Sequence, residues 1–146
     1  MINLSLQLFC NRIVAAGRIT ADDVSDLGRT VLPDGITGRD EADMLIALDR
    51  AVAVSAPEYS DFLVAAIVDF AVWGERPTGY IDPEIAHWLV GSLRNGVGPT
   101  PLAARIAREV VREAQASDET LIAFALAANT RRIETEDAEI LFRAAA

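Results

Sequence analysis

Pro33-Asp34-Gly35-Ile36-Thr37-Gly38-Arg39-Asp40-Glu41 compresses a tight turn, one apolar residue and the start of a helix into a single short stretch. Asp-Gly is turn chemistry, because glycine accepts the left-handed backbone that a tight bend needs. Thr37 carries the hydroxyl of a helix N-cap, and Asp40 and Glu41 put negative charge in the first turn, where the helix dipole favours it. Related stretches recur at Gly17-Arg18-Ile19-Thr20, Gly79-Tyr80-Ile81-Asp82, Gly96-Val97-Gly98-Pro99-Thr100 and Arg132-Ile133-Glu134-Thr135. Each is followed by apolar residues at helical spacing, so the chain reads as helices strung on short capped bends.

Outward from that stretch, the first helix is predicted from about Asn3 to Ala16, with Leu6, Phe9, Ile13 and Val14 on one face and Gly17 to end it. Thr20 opens a second helix carrying Val24, Leu27 and Val31, and Thr37 opens a third carrying Ala42, Leu45, Leu48 and Val52. Ser55-Ala56-Pro57-Glu58 fits a capping box with proline in the first turn. The fourth helix, through Phe62, Leu63, Ala66, Ile67, Phe70 and Trp73, is apolar on nearly every side and is the expected buried centre. Asp82-Pro83 opens a fifth, with Ile85, Trp88 and Leu89 inward, and Thr100-Pro101 a sixth, with Leu102, Ile106 and Val110 inward. Ser117 caps a seventh through Leu121, Phe124 and Ala125, and Thr135 a short last one through Ile140 and Leu141. The only strand candidates are the single apolar residues just before the caps. The expected fold is all-α, one bundle of about seven or eight short helices over residues 1–146.

The bends are spaced suggestively. Ile19 to Ile81 is 81 − 19 = 62 positions, and Ile36 to Val97 is 97 − 36 = 61. Halves at about 19–80 and 81–142 form either an internal repeat or the ordinary likeness of capped helices in an alanine-rich chain. The spacing also lets the bend at Ile36 lie beside that at Ile81, and Val97 beside Ile133, each lending one residue to a minimal ribbon.

Composition excludes several functions. With 51% hydrophobic residues in 146, the chain can build one domain with a core, and disorder is not expected. All 13 basic residues are arginine, so a phosphate-binding P-loop lysine, a Schiff-base lysine and a lysine general base are excluded. The net charge of −9 argues against binding a nucleic-acid backbone or an anionic membrane surface. Cys10 is the only cysteine, which rules out an intrachain disulfide and fits a reducing cytoplasm. The run Leu4 to Phe9 lacks a basic leader and stops at Asn11-Arg12, so an export signal is not expected. Phe62 to Trp73, interrupted by Asp69, is about half of a membrane span, so no membrane insertion is expected.

Residues Pro33 to Glu41 resemble the Asp-Gly-apolar-polar-x-x-acid element of tellurite-resistance TerB-like proteins, and also the second half of an EF-hand calcium loop. The chain length and helical layout are similar to the TerB-like group as well. That resemblance implies a compact helical domain with acidic loops linked to metal and stress responses. The alternative function it suggests is a metal-responsive protein with one divalent-cation site at Asp34, Asp40 and Glu41. Calcium geometry is incomplete: with Gly35 at loop position 6, the ligand positions fall on Thr30, Leu32, Asp34 and Glu41, and Leu32 has no side-chain oxygen. The same test gives Gly74, Arg76, Thr78 and Ile85 around Gly79, and Gly91, Leu93, Asn95 and Leu102 around Gly96.

No catalytic set rises from the remaining residues. Cys10 and His87 are too few for a zinc site, and the thiol sits on an apolar helix, where an inert buried group is expected. Asp61 and Asp69 stand about two turns apart on the fourth helix and mark its wet edge or, if an enzyme, its acids. Arg105, Arg108 and Arg112 form a line screened by Glu109 and Glu113. Trp73 and Trp88 are expected in the core and Tyr80 on the surface. The leading expectation is a non-enzymatic acidic interaction or regulatory module, without a cofactor, that binds a protein partner or itself. Val64, Val68 and Val72 supply the apolar surplus for self-association.

Overall fold

Asn3 begins the first helix and Gly17 ends it. The Asn3 side chain accepts from the Leu6 N–H, and Gly17, at φ 75°, donates its N–H to the Ile13 carbonyl, so α1 spans Leu4–Ala16. In the computed structural model, which describes residues 3–94 and 98–130, α1 is followed by β1 (Arg18–Ile19), α2 (Ala21–Asp26), α3 (Arg39–Ala51), β2 (Val54–Ser55) and α4 (Pro57–Val68). Next come β3 (Tyr80–Ile81), α5 (Pro83–Arg94), α6 (Pro101–Glu113), β4 (Ala116–Ser117) and α7 (119–130). α2 runs on into a π-helical turn over Leu27–Val31, and α4 into another over Asp69–Gly74. Strands among the described residues are two residues long, and the protein is all-α. The predicted cap at Thr135, the bend at Ile133 and the segment Asn95 to Val97 lie outside the described residues.

Each two-residue strand pairs with another in parallel: Ile19 faces Ser55 and Ile81 faces Ser117. The expected neighbour of Ile81, the bend at Ile36, is instead buried without a strand. Parallel pairing needs a long crossover, and α2 with α3 provides it in the first half, α5 with α6 in the second. The ladders are extended by matching backbone bonds. Ala53 N–H donates to Gly17 O at 3.3 Å and Ala56 N–H to Ile19 O at 2.9 Å; Gln115 N–H donates to Gly79 O and Asp118 N–H to Ile81 O, both at 2.8 Å. The second half therefore repeats the first at one offset: 80 − 18 = 62 for β1 and β3, 116 − 54 = 62 for β2 and β4, and 101 − 39 = 62 for α3 and α6.

Thr20, Asp82 and Thr100 cap their helices, and Thr20 forms a reciprocal box with Asp23. The other expected caps are displaced. Ser55 lies in β2, so the Ser55–Glu58 box does not form, and Ala56 precedes α4 with no side-chain cap. Ser117 lies in β4, and Asp118 takes the Thr120 N–H at 3.0 Å in its place. In both cases the ladder holds the hydroxyl residue in extended backbone, one position short of the helix. α3 likewise starts after Gly38 rather than Thr37.

α4 forms the centre, with Tyr59, Leu63 and Ile67 fully buried and the Tyr59 hydroxyl donating to the Leu45 carbonyl at 2.7 Å. α6 is two-faced: Leu102, Ala103, Ala104, Ile106, Ala107 and Val110 are buried, and its packing partners include α4 and α5. Its short alanine side chains allow close helix approach. Val64 and Val72 belong to this core and Val68 is half-buried, so they are not the exposed apolar surplus expected of them. Trp73, expected inside, is 43% exposed because the π-helical turn carries it outward past Val72; Trp88 is half-buried. Among the described residues no helix is long and apolar enough to cross a membrane.

Replacing Tyr59 by Phe removes a buried donor without changing packing volume much. The Tyr59→Phe variant is expected to lose about 1 kcal/mol of stability, read as a lower urea midpoint at unchanged slope. An unchanged midpoint would show that the hydroxyl bond is immaterial to the core.

Candidate functional site

Pro33 to Glu41 is a turn in which one acid, Glu41, is used by the fold. Gly35 takes φ 76°, Ile36 is buried beneath it, and Asp34 and Asp40 are exposed. Glu41 is the anchored member. One of its oxygens accepts from the Thr37 N–H at 2.8 Å and the Thr37 hydroxyl at 2.9 Å, and the other from the Asn3 amide at 2.7 Å. Burial pushes the Glu41 carboxyl up, but the bonds from Asn3, Thr37 and Gly38 outweigh it and hold the group below the ordinary glutamate value. Asn3 caps α1 with its oxygen while its nitrogen holds Glu41, so one amide ties the starts of α1 and α3. Among the described residues no three His, Cys, Asp or Glu side chains gather closely enough to hold a metal ion. The structure thus does not assemble Asp34, Asp40 and Glu41 into a cluster.

The other chemical candidates are also placed apart. Cys10 is half-buried on α1, and burial pushes its thiol up, away from the thiolate that a nucleophile needs. His87 is exposed on α5. Asp61 pairs with Arg105 at 2.9 Å and joins α4 to α6, whereas Arg108 and Arg112 lie against Glu109. Asp69 is exposed where α4 passes into its π-helical turn.

Two of the surface grooves among the described residues bear on function. The first, about 510 Å³ between α3 and α5, is lined by Asp43, Arg50, His87, Trp88 and Ser92 over the small floor of Ala47 and Gly91. Its polar groups are tied to one another. Trp88 Nε1 donates to Asp43 Oδ1 at 2.9 Å and Arg50 Nη1 to the Ser92 carbonyl at 3.2 Å. Arg39 lies 5.1 Å over the Trp88 ring while bonding Glu75 at 2.6 Å and Glu84 at 3.1 Å, and Phe70 meets the same ring edge-on. That network joins the two halves of the bundle.

The second groove, about 300 Å³ between α6 and α7, is lined by Arg108, Val111, Ile122, Ala125, Leu126, Asn129 and Thr130. Ile122 and Leu126 are uncovered, Leu126 to 65%. Asn129 donates both amide hydrogens, to the Ala104 carbonyl at 3.0 Å and the Ala125 carbonyl at 2.8 Å. That fixes the amide's orientation and leaves its Oδ1 buried with no partner among the described residues. The positions matching Ala125, Leu126 and Asn129 in the first half are Leu63, Val64 and Ile67, all buried on α4. α6 packs on α4. Sequence reasoning assigned only the inward face of α7; the four-residue step from Ile122 to Leu126 was the available signal.

No family model matches the chain, and neither a curated protein nor a solved structure matches it.

Because the folded Glu41 carboxyl lies below its unfolded value, its stabilisation is present above about pH 4.3 and is lost as pH falls through the folded-state value. Glu41→Gln is expected to reduce stability by about 0.5–1 kcal/mol at neutral pH, after allowing for solvent screening, with the difference from wild type shrinking toward pH 3. Urea melts of both proteins across that range check it; a gap that persists undiminished at low pH would exclude the charge as its source.

Proposed function

We propose that this protein is a non-enzymatic acidic interaction module whose working surface is the α6–α7 groove, receiving an amphipathic helix from a protein partner. The carrying observation is the pairing of exposed Ile122 and Leu126 with a buried Asn129 oxygen that has no donor among the described residues. Covering a large apolar side chain is worth about 1.5–3 kcal/mol, and a buried acceptor without a donor costs about 1–3 kcal/mol. A helix laid along the groove answers both if it brings apolar side chains and one hydrogen-bond donor. The matching residues of α4, Leu63, Val64 and Ile67, are buried within the bundle. The thiol held in its protonated form supports a non-enzymatic role, and a single cysteine suits a cytoplasmic setting.

Immobilised wild-type chain and its Leu126→Glu variant, each exposed to extract of the native cell, test the proposal. Leu126 is exposed, so the substitution leaves the core intact. A partner retained by wild type and reduced at least about tenfold by Leu126→Glu is expected, since placing a charge in a desolvated contact costs several kcal/mol. Equal retention by both, or none by either, would count against the groove.

A further inference from the structure

The geometry points to a second binding site, the groove between α3 and α5, for a short peptide with both ends free, its ammonium against Asp43 and its carboxylate against Arg50. This groove shares no lining residue with the one between α6 and α7. Asp43, Ala47 and Arg50 follow one another along α3 at steps of four and three, and Trp88, Gly91 and Ser92 line the α5 side. Two bonds fix the ends of the groove: Trp88 holds Asp43 at one, and the Ser92 carbonyl holds Arg50 at the other. Neither group is exhausted by its bond. Asp43 engages only Oδ1 and Arg50 only Nη1, so Oδ2 of the first and Nε and Nη2 of the second have no partner among the described residues. Between them the floor is small, because Ala47 ends in a methyl group and a Cβ added at Gly91 would meet nothing within 4 Å. The main chain of a ligand can therefore come close to both helices.

The two ends carry opposite charge. Beyond Asp43 stand Asp40, one turn earlier on α3, and Glu84, one turn before Trp88 on α5. The cation at that end, Arg39, is matched by two carboxylates, Glu75 at 2.6 Å and Glu84 at 3.1 Å. At the other end Arg94 follows on α5 and lies over Phe124, while Asp49, beside Arg50, accepts from the Thr100 hydroxyl at 2.7 Å. An anion alone would meet the acids around Asp43, and a cation alone would meet Arg50. A ligand charged at both ends answers each. Asp43 and Arg50 stand seven residues apart on α3, about 10.5 Å along its axis. An extended chain covers about 3.3–3.6 Å per residue, so three residues bring the two termini to the two groups. The volume of about 510 Å³ falls within the range of small-ligand sites, and the Trp88 indole adds an apolar wall.

Titration calorimetry of the full chain with trialanine tests this, beside trialanine acetylated at its amino end and trialanine amidated at its carboxyl end. Gly91→Leu places a side chain in the groove at a helical position with open space. Asp43→Asn removes one charge while keeping an acceptor for Trp88, and Arg50→Gln removes the other. Helical circular dichroism equal to wild type verifies the fold of each variant. Wild type is expected to bind trialanine saturably at millimolar concentration, and each capped peptide about tenfold more weakly. Gly91→Leu is expected to bind trialanine at least about tenfold more weakly than wild type. Asp43→Asn is expected to stop distinguishing trialanine from its acetylated form, and Arg50→Gln from its amide. Leu126→Glu is expected to bind trialanine as wild type does, so the two grooves are tested separately. Absence of saturable binding to wild type overturns the inference. So does equal binding of the free and capped peptides, or a folded Gly91→Leu that binds trialanine like wild type.

Discussion

Two buried bends hold the bundle together, and each is held by main-chain atoms alone. Ile19 and Ile81 are 2% exposed, so their peptide groups cannot turn to water. Each is satisfied by a parallel partner two helices further along the chain, through Ala56 N–H to Ile19 O and Asp118 N–H to Ile81 O. A ladder of two residues adds little energy, but it fixes where the following helix begins. α4 starts at Pro57 because Ala56 is already engaged, and α7 starts at residue 119 because Asp118 is. The constant offset between the halves is the visible result of using this device twice.

α4 serves both halves. Its beginning closes the first ladder, and its π-helical end carries Phe70, Ala71 and Val72 into the core beside the second half. That sharing explains why it is apolar on most sides and why its few acids sit at the rim, Asp61 reaching across to Arg105. The halves are then joined again from outside, by Arg39 of α3 gripping Glu75, Glu84 and the face of Trp88. α1 and α7 are the first and last helices among the described residues.

Helix number, helix type and most of the inward positions were legible in the sequence, because apolar spacing and cap residues report local geometry directly. Thr20, Asp82 and Thr100 show this best. What failed depended on long-range contacts. Ser55 and Ser117 look like caps on either side of a helix start, and only the partner strand, 36 residues away in each ladder (55 − 19 and 117 − 81), removes them from that role. Trp73 reads as core by period, but the π-helical turn changes the phase of the last residues of α4. The acids of the Asp34–Glu41 stretch could be read as ligands or as helix-start charges; Asn3, at the start of a separate helix, decides how Glu41 is used. The groove was the least legible feature, since exposed Ile122 and Leu126 have meaning only once the fold around them is seen.

The contrast between Ile67 and Asn129 carries the last step. Both hold the same place in their halves, 129 − 67 = 62. Ile67 is fully buried by packing and needs no bond. Asn129 fastens α7 to α6 with two hydrogen bonds to carbonyls, one of them across the helix pair, and this replaces with polar contact the apolar packing that Ile67 provides. An alanine or leucine there would bring no acceptor to satisfy, whereas the amide keeps one out of water with no partner among the described residues. Such a group destabilises the isolated chain by about 1–3 kcal/mol, part of which the two donated bonds offset. On the proposed reading, a partner's donor recovers the remainder, and the residue that weakens the free chain then strengthens the bound one.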